Sequence, residues 1–410
     1  MTIDTTPSAP FLDLHDPLFA FDGEEIAAAR EANWFAPSPI GPIALRHREV
    51  SELLRDHRFR LGGEAYMALF GITEGPLFDW WTHTLMSVDA PSHKRLRGLL
   101  SKAFTPSVVE GLRPFTRAAA ARLADQIATS DERDFVTSFA DPLPALVMCE
   151  MLGVPFEDYD QFHAWSGDIG LAFATGLTED VVRVVESGIE GMGAYVESLI
   201  ARRRRNPGRD LLSALIAAQA QDGSLSAAEL KNLVLLLVWA GQDTTSRQLG
   251  RALVAFSQHP AQWTLLRQRP ELLPQAVNEV LRWTPQSRLI QRFANVELTY
   301  QDLHFPVDGV IFCCVPSANY DSRVFENPYE FNIRRVQSSR QLVFGGGLYH
   351  CLGHALAQLE IAEGLSALAE RLGTPTVSGP IAWRPQMAMI HGPDSLPLVF
   401  ADSDTVPAPN

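Results

Sequence analysis

Phe344-Gly345-Gly346-Gly347-Leu348-Tyr349-His350-Cys351-Leu352-Gly353 sets one cysteine in a glycine-built loop, directly ahead of a helical pattern beginning at His354. Glycines reach backbone conformations closed to other residues and let a chain pass close to a flat ligand. Their amide N–H groups are free to point at a sulfur, and the start of the following helix adds the positive end of its dipole. Both influences favour thiolate over thiol, the form that a metal ion or a haem iron takes up. The competing reading of Cys351 is a buried, inert cysteine at a helix N-terminus. His350 and His354, beside it, also have ligand chemistry.

A second group lies in the longest helical pattern. Ser226-Ala227-Ala228-Glu229 has capping-box spacing, and apolar periodicity runs from there to about Gln258, before Pro260. The usual rise predicts a helix of roughly 45 Å, long enough to cross the molecule. Ala240-Gly241-Gln242-Asp243-Thr244-Thr245 stands in its middle. Polar residues in an apolar helix cost stability without partners, so Asp243 and Thr244 have two readings. Either the helix surface turns to solvent after Gly241 and Asp243 pairs with Arg247, or the pair has a functional role inside the protein. Glu279-Val280-Leu281-Arg282 places opposite charges on one helix face, an arrangement common on surface helices. Asp89-Ala90-Pro91-Ser92-His93 starts a helix after proline and puts His93 and Arg97 on one face, able to grip carboxylates; an ordinary basic face would look the same.

These groups must be positioned by a mainly helical chain. Strand candidates are Ile43–Leu45, Val296–Tyr300 and Val310–Cys314, with Met387–Ile390 and Leu396–Phe400 flanking a turn at residues 391–395, so a small sheet region assembles from distant segments. The 410 residues, 46% hydrophobic and 20% charged, are ample for a core, and length alone suggests two or three domains. The strongest apolar run, Leu233–Gly241, is too short to span a membrane. No secretory pattern opens the chain, which makes the cytoplasm the expected location. Cys149, Cys313, Cys314 and Cys351 show neither disulfide nor zinc spacing. A net charge of −14 disfavours nucleic acid.

Residues 344–353 resemble the haem-binding loop of the cytochrome P450 family. The resemblance makes Cys351 the axial ligand of haem b (iron protoporphyrin IX), with Phe344, Gly345, Tyr349 and Gly353 around it, and an anionic sulfur there pushes electron density onto iron. It turns the sulfur inward and leaves surface or propionate roles to His350 and His354. Ala240-Gly241 with Asp243-Thr244 resembles the family's oxygen-binding groove and gives the last two catalytic roles. Glu279-x-x-Arg282 resembles the family's buried pair that supports the haem loop, with Arg335 of Phe331-Asn-Ile-Arg-Arg335 as third member. Residues 89–97, continuing through Ala103-Phe104-Thr105-Pro106, and Arg292 before Phe293-Ala294 at a strand start, match propionate-binding positions. The pattern departs at Tyr349, where many bacterial members have His or Arg: a phenol brings no positive charge. His93, Arg97 and Arg292 could offset that loss.

The resemblance runs from about residue 40 to 400. It implies a single domain over 1–410, mainly α with a small β-sheet region drawn mostly from about 20–60, 290–315 and 385–400, with flexible tails at 1–10 and 401–410. The length-based division into several domains is set aside. With no room for a fused flavin or iron–sulfur segment, electrons are expected from a 2Fe–2S or similar ferredoxin and an NAD(P)H-dependent reductase, steered by Lys94, Lys102, Arg334 and Arg340. Arg202–Arg205 reads as a solvated helix end. A monomer without membrane or nucleic-acid partners is expected.

The implied activity is an O2-dependent monooxygenase acting on a small or medium organic molecule. Peroxide-driven oxidation, oxidative coupling and a non-catalytic haem sensor are the alternatives. The pocket implied by the family is lined by the loop 62–85, residues 169–173, Leu236 and Trp239, Arg288, Leu289 and Ile290, and Met389 and Ile390. Trp239 either narrows it or faces another side of the helix as core, and Arg288 either meets an anionic substrate or is structural.

Overall fold

The computed structural model describes residues 10–401 apart from 17–18, 103, 130–133, 174–176, 223–224, 337–338 and 387. Of the expected tails, all but Pro10 and Ala401 lie outside the described residues, as do Ala103 and Met387. Ala401 still pairs with Thr374 in a strand.

The long helix runs Ala227–Gln258 with Ser226 as its N-cap. Its capping box is complete: the Glu229 amide donates to Ser226 Oγ at 3.1 Å, and the Ser226 amide to Glu229 Oε2 at 2.7 Å. The next helix begins at Pro260, whose ring and missing N–H forbid continuation of the first. Leu233–Trp239 and Thr245–Phe256 are buried throughout, so the helix is core on nearly all sides. It does not turn to solvent after Gly241, and it stays helical through Thr244. The helix His354–Arg371 packs on Arg113–Thr129 and on the long helix, which fixes the loop preceding it against the centre of the molecule. The helix Glu179–Arg205 has Glu179 and Asp180 in its first turn and Arg202–Arg205 in its last, each sign opposing the helix dipole. Arg203 in that run pairs with Asp210 at 2.6 Å.

Strands are short because few segments alternate. Five form one sheet in the order Phe35–Ala36, Ile43–Ala44, Val310–Cys314, Leu289–Ala294, Phe59–Arg60, with the second and third parallel and the other neighbours antiparallel. Arg292 is fourth in its six-residue strand, opposite Ile311, not at the strand start. The apolar Leu289 and Ile290 extend the strand ahead of it. The segment 20–60, expected as sheet, holds helices Glu24–Ala32 and His47–Arg55 between its short strands. Leu298–Tyr300 forms a hairpin with Leu303–Phe305 across Gln301-Asp302, Gln301 taking a left-handed φ of 51°. The stretch expected as a turn contains the strand Pro393–Ser395, paired with Ala382–Trp383. Ile390 makes only an isolated bridge to Ser287. Leu398–Ala401 finds its partner in Thr374–Val377. None of the helices among the described residues is long and apolar enough to cross a membrane.

Candidate active site

The glycine loop is shaped by sterics. Gly345 and Gly347 have φ of 68° and 63°, where a side chain is strained, and a Cβ on Gly347 would sit 2.8 Å from Arg55 Cα. The Cys351 amide donates to Phe344 O at 2.9 Å and closes the loop. Cys351 is reached from a cavity of about 300 Å³, and it is the one cysteine of four that lines it. Burial pushes its thiol above the usual range, while the Gly353 amide, donating to sulfur, and Arg97 oppose that push. The Gly353 amide and Arg97 act in the direction expected from sequence, toward thiolate, and a cation on the sulfur would complete the ionisation.

The cavity brings together His93, Arg97, Ala240, Gly241 and Thr244 with Phe344, Tyr349, Cys351 and Gly353. His93 and Arg97 share the helix Ala90–Ser101, which Asp89 caps by accepting from Ser92 N–H at 2.9 Å. Arg97 donates to His350 O at 2.6 Å, and Arg292 donates to Leu54 O at 3.2 Å and Gln291 O at 3.0 Å. Neither arginine pairs with a carboxylate among the described residues. Arg292 Nε and His93 Nδ1 are buried without a hydrogen-bond partner. Burial and Arg97 lower His93 to about 4, and burial lowers Arg97 and Arg292. Tyr349 lies between two of these bases, its ring 4.9 Å from that of His93 and 5.5 Å from the Arg292 guanidinium. Unpaired buried cations beside a cysteine fit a flat macrocycle carrying two carboxylates.

Gly241 lines the cavity, and its missing side chain also makes room for a neighbour. A Cβ there would come within 2.5 Å of Met148 Sδ, so the bare backbone is approached by a methionine that also lines the cavity. Thr244 Oγ1 donates to Ala240 O at 2.8 Å. Asp243 does not line the cavity. It accepts two hydrogen bonds from Arg384, at 2.7 and 2.8 Å, and lies 3.4 Å from Arg247 Nε. Burial opposes its ionisation, but Arg384 and Arg247 outweigh burial and hold it below the usual carboxylate range. Arg384 lies far along the chain from Asp243, and no local pattern marks it. The carboxyl that does line the cavity is Glu360, which burial keeps well above the usual range, with Thr245 as hydrogen-bond partner. Its place between Leu359 and Ile361 on an apolar helix face was the available signal.

Glu279 and Arg282 are fully buried, joined by two bonds of 2.8 Å, and Arg335 Nε reaches both Glu279 oxygens at 3.1 Å. Arg282 spends its remaining N–H groups on Pro328 O, Asn319 O and Glu330 O.

Of the residues expected to face substrate, Leu85, Leu236 and Ile390 line the cavity, joined by Leu61 and Met86, and none of residues 169–172 does. Trp239, Arg288, Leu289, Ile290 and Met389 do not. The Trp239 indole lies over Gly170, where a Cβ would meet Nε1 at 3.2 Å. Arg288 donates to Gln386 O at 2.7 Å and stacks on Phe21. Leu289 is buried in a separate core cluster, Ile290 lies beside Gly345, and Met389 Sδ accepts from Tyr66 at 3.0 Å.

The family model for cytochrome P450 matches residues 170–372. The chain is 40% identical over 403 residues to a luteothin monooxygenase of Streptomyces thioluteus, covering 97% of this chain and 98% of that protein. It is 34% identical to the mycinamicin IV hydroxylase/epoxidase of Micromonospora griseorubida, covering 98% and 100%. The solved structure of the Bacillus subtilis bacillaene polyketide synthase cytochrome P450 PksS superposes with a TM-score of 0.82 at 30% identity, covering 94% and 100%. Fold, cavity and relatives agree, and the chain belongs to the cytochrome P450 family as a haem-thiolate monooxygenase.

Proposed function

We propose that Cys351 supplies the thiolate to haem b, that His93, Arg97 and Arg292 hold the haem carboxylates, and that the chain oxidises a mid-sized neutral molecule of polyketide type. The observation that carries this reading is one cavity shared by Cys351, Gly241, Thr244, His93 and Arg97, with Arg292 behind its Tyr349 wall and none of the three basic side chains paired to a carboxylate among the described residues. A relative named for polyketide biosynthesis supports the substrate class. The bound group activates O2 and supplies the oxygen atom inserted into substrate.

The chain's own residues manage binding, water and protons. Leu236, Met148 and Phe344 give the cavity an apolar wall that favours an apolar substrate over bulk water. Thr244 Oγ1 holds its proton on Ala240 O and can turn it into the cavity. Glu360 keeps its carboxyl proton beside Thr245 and can lend it to that hydroxyl. Asp243, an acceptor while Arg384 grips it, takes a proton only when that arginine swings away; the Arg384 side chain is 22% exposed, which gives it a route to solvent. Glu279, Arg282 and Arg335 brace the loop without touching substrate.

The electron donor in this reading is a small acidic 2Fe–2S or similar ferredoxin, reduced from NAD(P)H through a reductase. Lys94, Lys102, Arg334 and Arg340 are exposed and form no ion pair with described residues, so their charge is available to such a partner. The enzyme acts as one haem domain and a cytoplasmic monomer.

The test is spectroscopic, then kinetic. The reduced protein under carbon monoxide should show the strongly red-shifted Soret band of thiolate ligation, and Cys351→Ser should lose it. Retention of that band by the serine variant would sink the assignment of the ligand. Turnover with ferredoxin, reductase and NAD(P)H should exceed turnover with peroxide alone; the reverse result would favour peroxide-driven chemistry.

A further inference from the structure

One end of the cavity is polar in a way the haem site does not use. Gln286 and Ser287, adjacent in the chain, both line it although they are only 7% and 9% exposed. The Gln286 backbone is held at both its N–H and its carbonyl. The Gln286 amide N–H donates to Gln248 Oε1 at 3.1 Å, Gln248 Nε2 donates to Thr284 O at 3.0 Å, and the His391 amide donates to Gln286 O at 2.7 Å. Ser287 is further fixed by its bridge to Ile390, another cavity residue. The side chains, by contrast, have nothing to bond. Gln286 Oε1 is buried without a partner, and neither the other end of that amide nor the Ser287 hydroxyl bonds to a described residue.

A buried amide left unsatisfied is costly, and a hydroxyl beside it adds a second donor and acceptor. We propose that Gln286 and Ser287 form a polar subsite that binds a carbonyl or hydroxyl oxygen of an otherwise apolar, uncharged substrate. This rests on the reading of the cavity as the substrate chamber of a haem enzyme. Neither nearby cation lines the cavity: Arg288 donates to Gln386 O at 2.7 Å and Arg251 to Thr284 O at 3.2 Å behind its wall, so no charge is presented beside Gln286 and Ser287 to hold a carboxylate. A side-chain amide also leaves the orientation of its two ends to the ligand, so ketone and alcohol are both accommodated.

The experiment uses the ferric holoprotein and follows its spin-state absorbance change on titration with three matched probes: butylbenzene, 4-phenylbutan-2-one and 4-phenylbutanoate. The ketone should bind about tenfold more tightly than the hydrocarbon, the yield of one net hydrogen bond, and the carboxylate most weakly. In a Gln286→Met, Ser287→Ala double variant the ratio of ketone to hydrocarbon affinity should fall to about one. Equal affinities in the wild type, no binding of the ketone, or a preference that survives the double variant would each overturn the subsite. The wild-type ratios decide the matter even if the variant does not fold. The ferrous carbonyl band recorded on the same samples separates failure of haem ligation from failure of the subsite.

Discussion

Two clusters of basic side chains use their charge in opposite ways. In Glu279–Arg282–Arg335 the guanidiniums meet a carboxylate and several carbonyl oxygens, and both members of the inner pair are fully buried. At the cavity and behind its Tyr349 wall, Arg97 and Arg292 meet only carbonyls, and His93 and Arg292 each keep a buried nitrogen without a partner. A satisfied ion cluster is a brace; an unsatisfied one is a receptor for a charge from outside. Residue type alone does not separate the two, since both read as basic groups near acidic ones in sequence.

The sharpest way to break the comparison is Arg282→Met. It removes one of the two cations on the fully buried Glu279, leaving Arg335 alone against that charge, and should cost about 3–5 kcal/mol in urea unfolding, whether or not haem is present. An effect confined to the haem-loaded protein would show that the brace is part of the receptor. Acidification should separate the clusters next. His93 is lowered to about 4 from 6.5, so the unfolded chain takes up a proton in this window and the apoprotein does not. Stability of the apoprotein should therefore decline as pH falls from 6.5 toward 4, by up to about 3 kcal/mol from this group. Haem carboxylates beside His93 should shrink that decline, and equal acid sensitivity of apo and holo forms would count against the receptor.

Arg292→Leu should change apoprotein stability by less than about 1 kcal/mol, because it removes an uncompensated cation, while weakening haem retention by about 2–3 kcal/mol in transfer to a haem acceptor. Arg384→Gln should have the smallest effect, about 1–2 kcal/mol near neutral pH. Asp243 is held below 3.8, so its pairing stabilises the fold above that value and is lost as pH falls through the lower folded value. In the glutamine variant that acid-sensitive contribution should diminish, read as a flatter plot of unfolding free energy between pH 4 and pH 2.

Much of this was legible in the chain. The capping box, the run to Gln258 and the proline after it specify the long helix locally, and the glycine loop before His354 demands positive φ by residue type. Asp89 and Pro91 likewise place His93 and Arg97. What sequence could not give is which side of a helix a polar residue faces once the core is packed. Asp243 and Glu360 exchange places in this respect: the expected acid points to Arg384 outside the cavity, and an overlooked one lines it. Trp239 went the same way, packing on Gly170 because the helix is buried nearly all round and periodicity no longer distinguishes a chamber wall from core. The misread turn at 391–395 has a similar cause, since Gly-Pro-Asp-Ser signals a reversal locally and becomes a strand only because Ala382–Trp383 lies beside it.

The parallel pairing of Ile43 with Phe312 and Ala44 with Cys313 has a consequence for how the protein is made. The strand bearing Arg292 is docked on that same Val310–Cys314 segment, so the sheet is closed only after some three-quarters of the polypeptide has left the ribosome. Until then the N-terminal strands wait with open edges, a condition that slows assembly and invites chaperones. With the proposed ligand and carboxylate-binding residues, capture of the prosthetic group would need both Arg292 and Cys351 and would be deferred to the last stage of biogenesis, when an almost finished scaffold is ready to receive it.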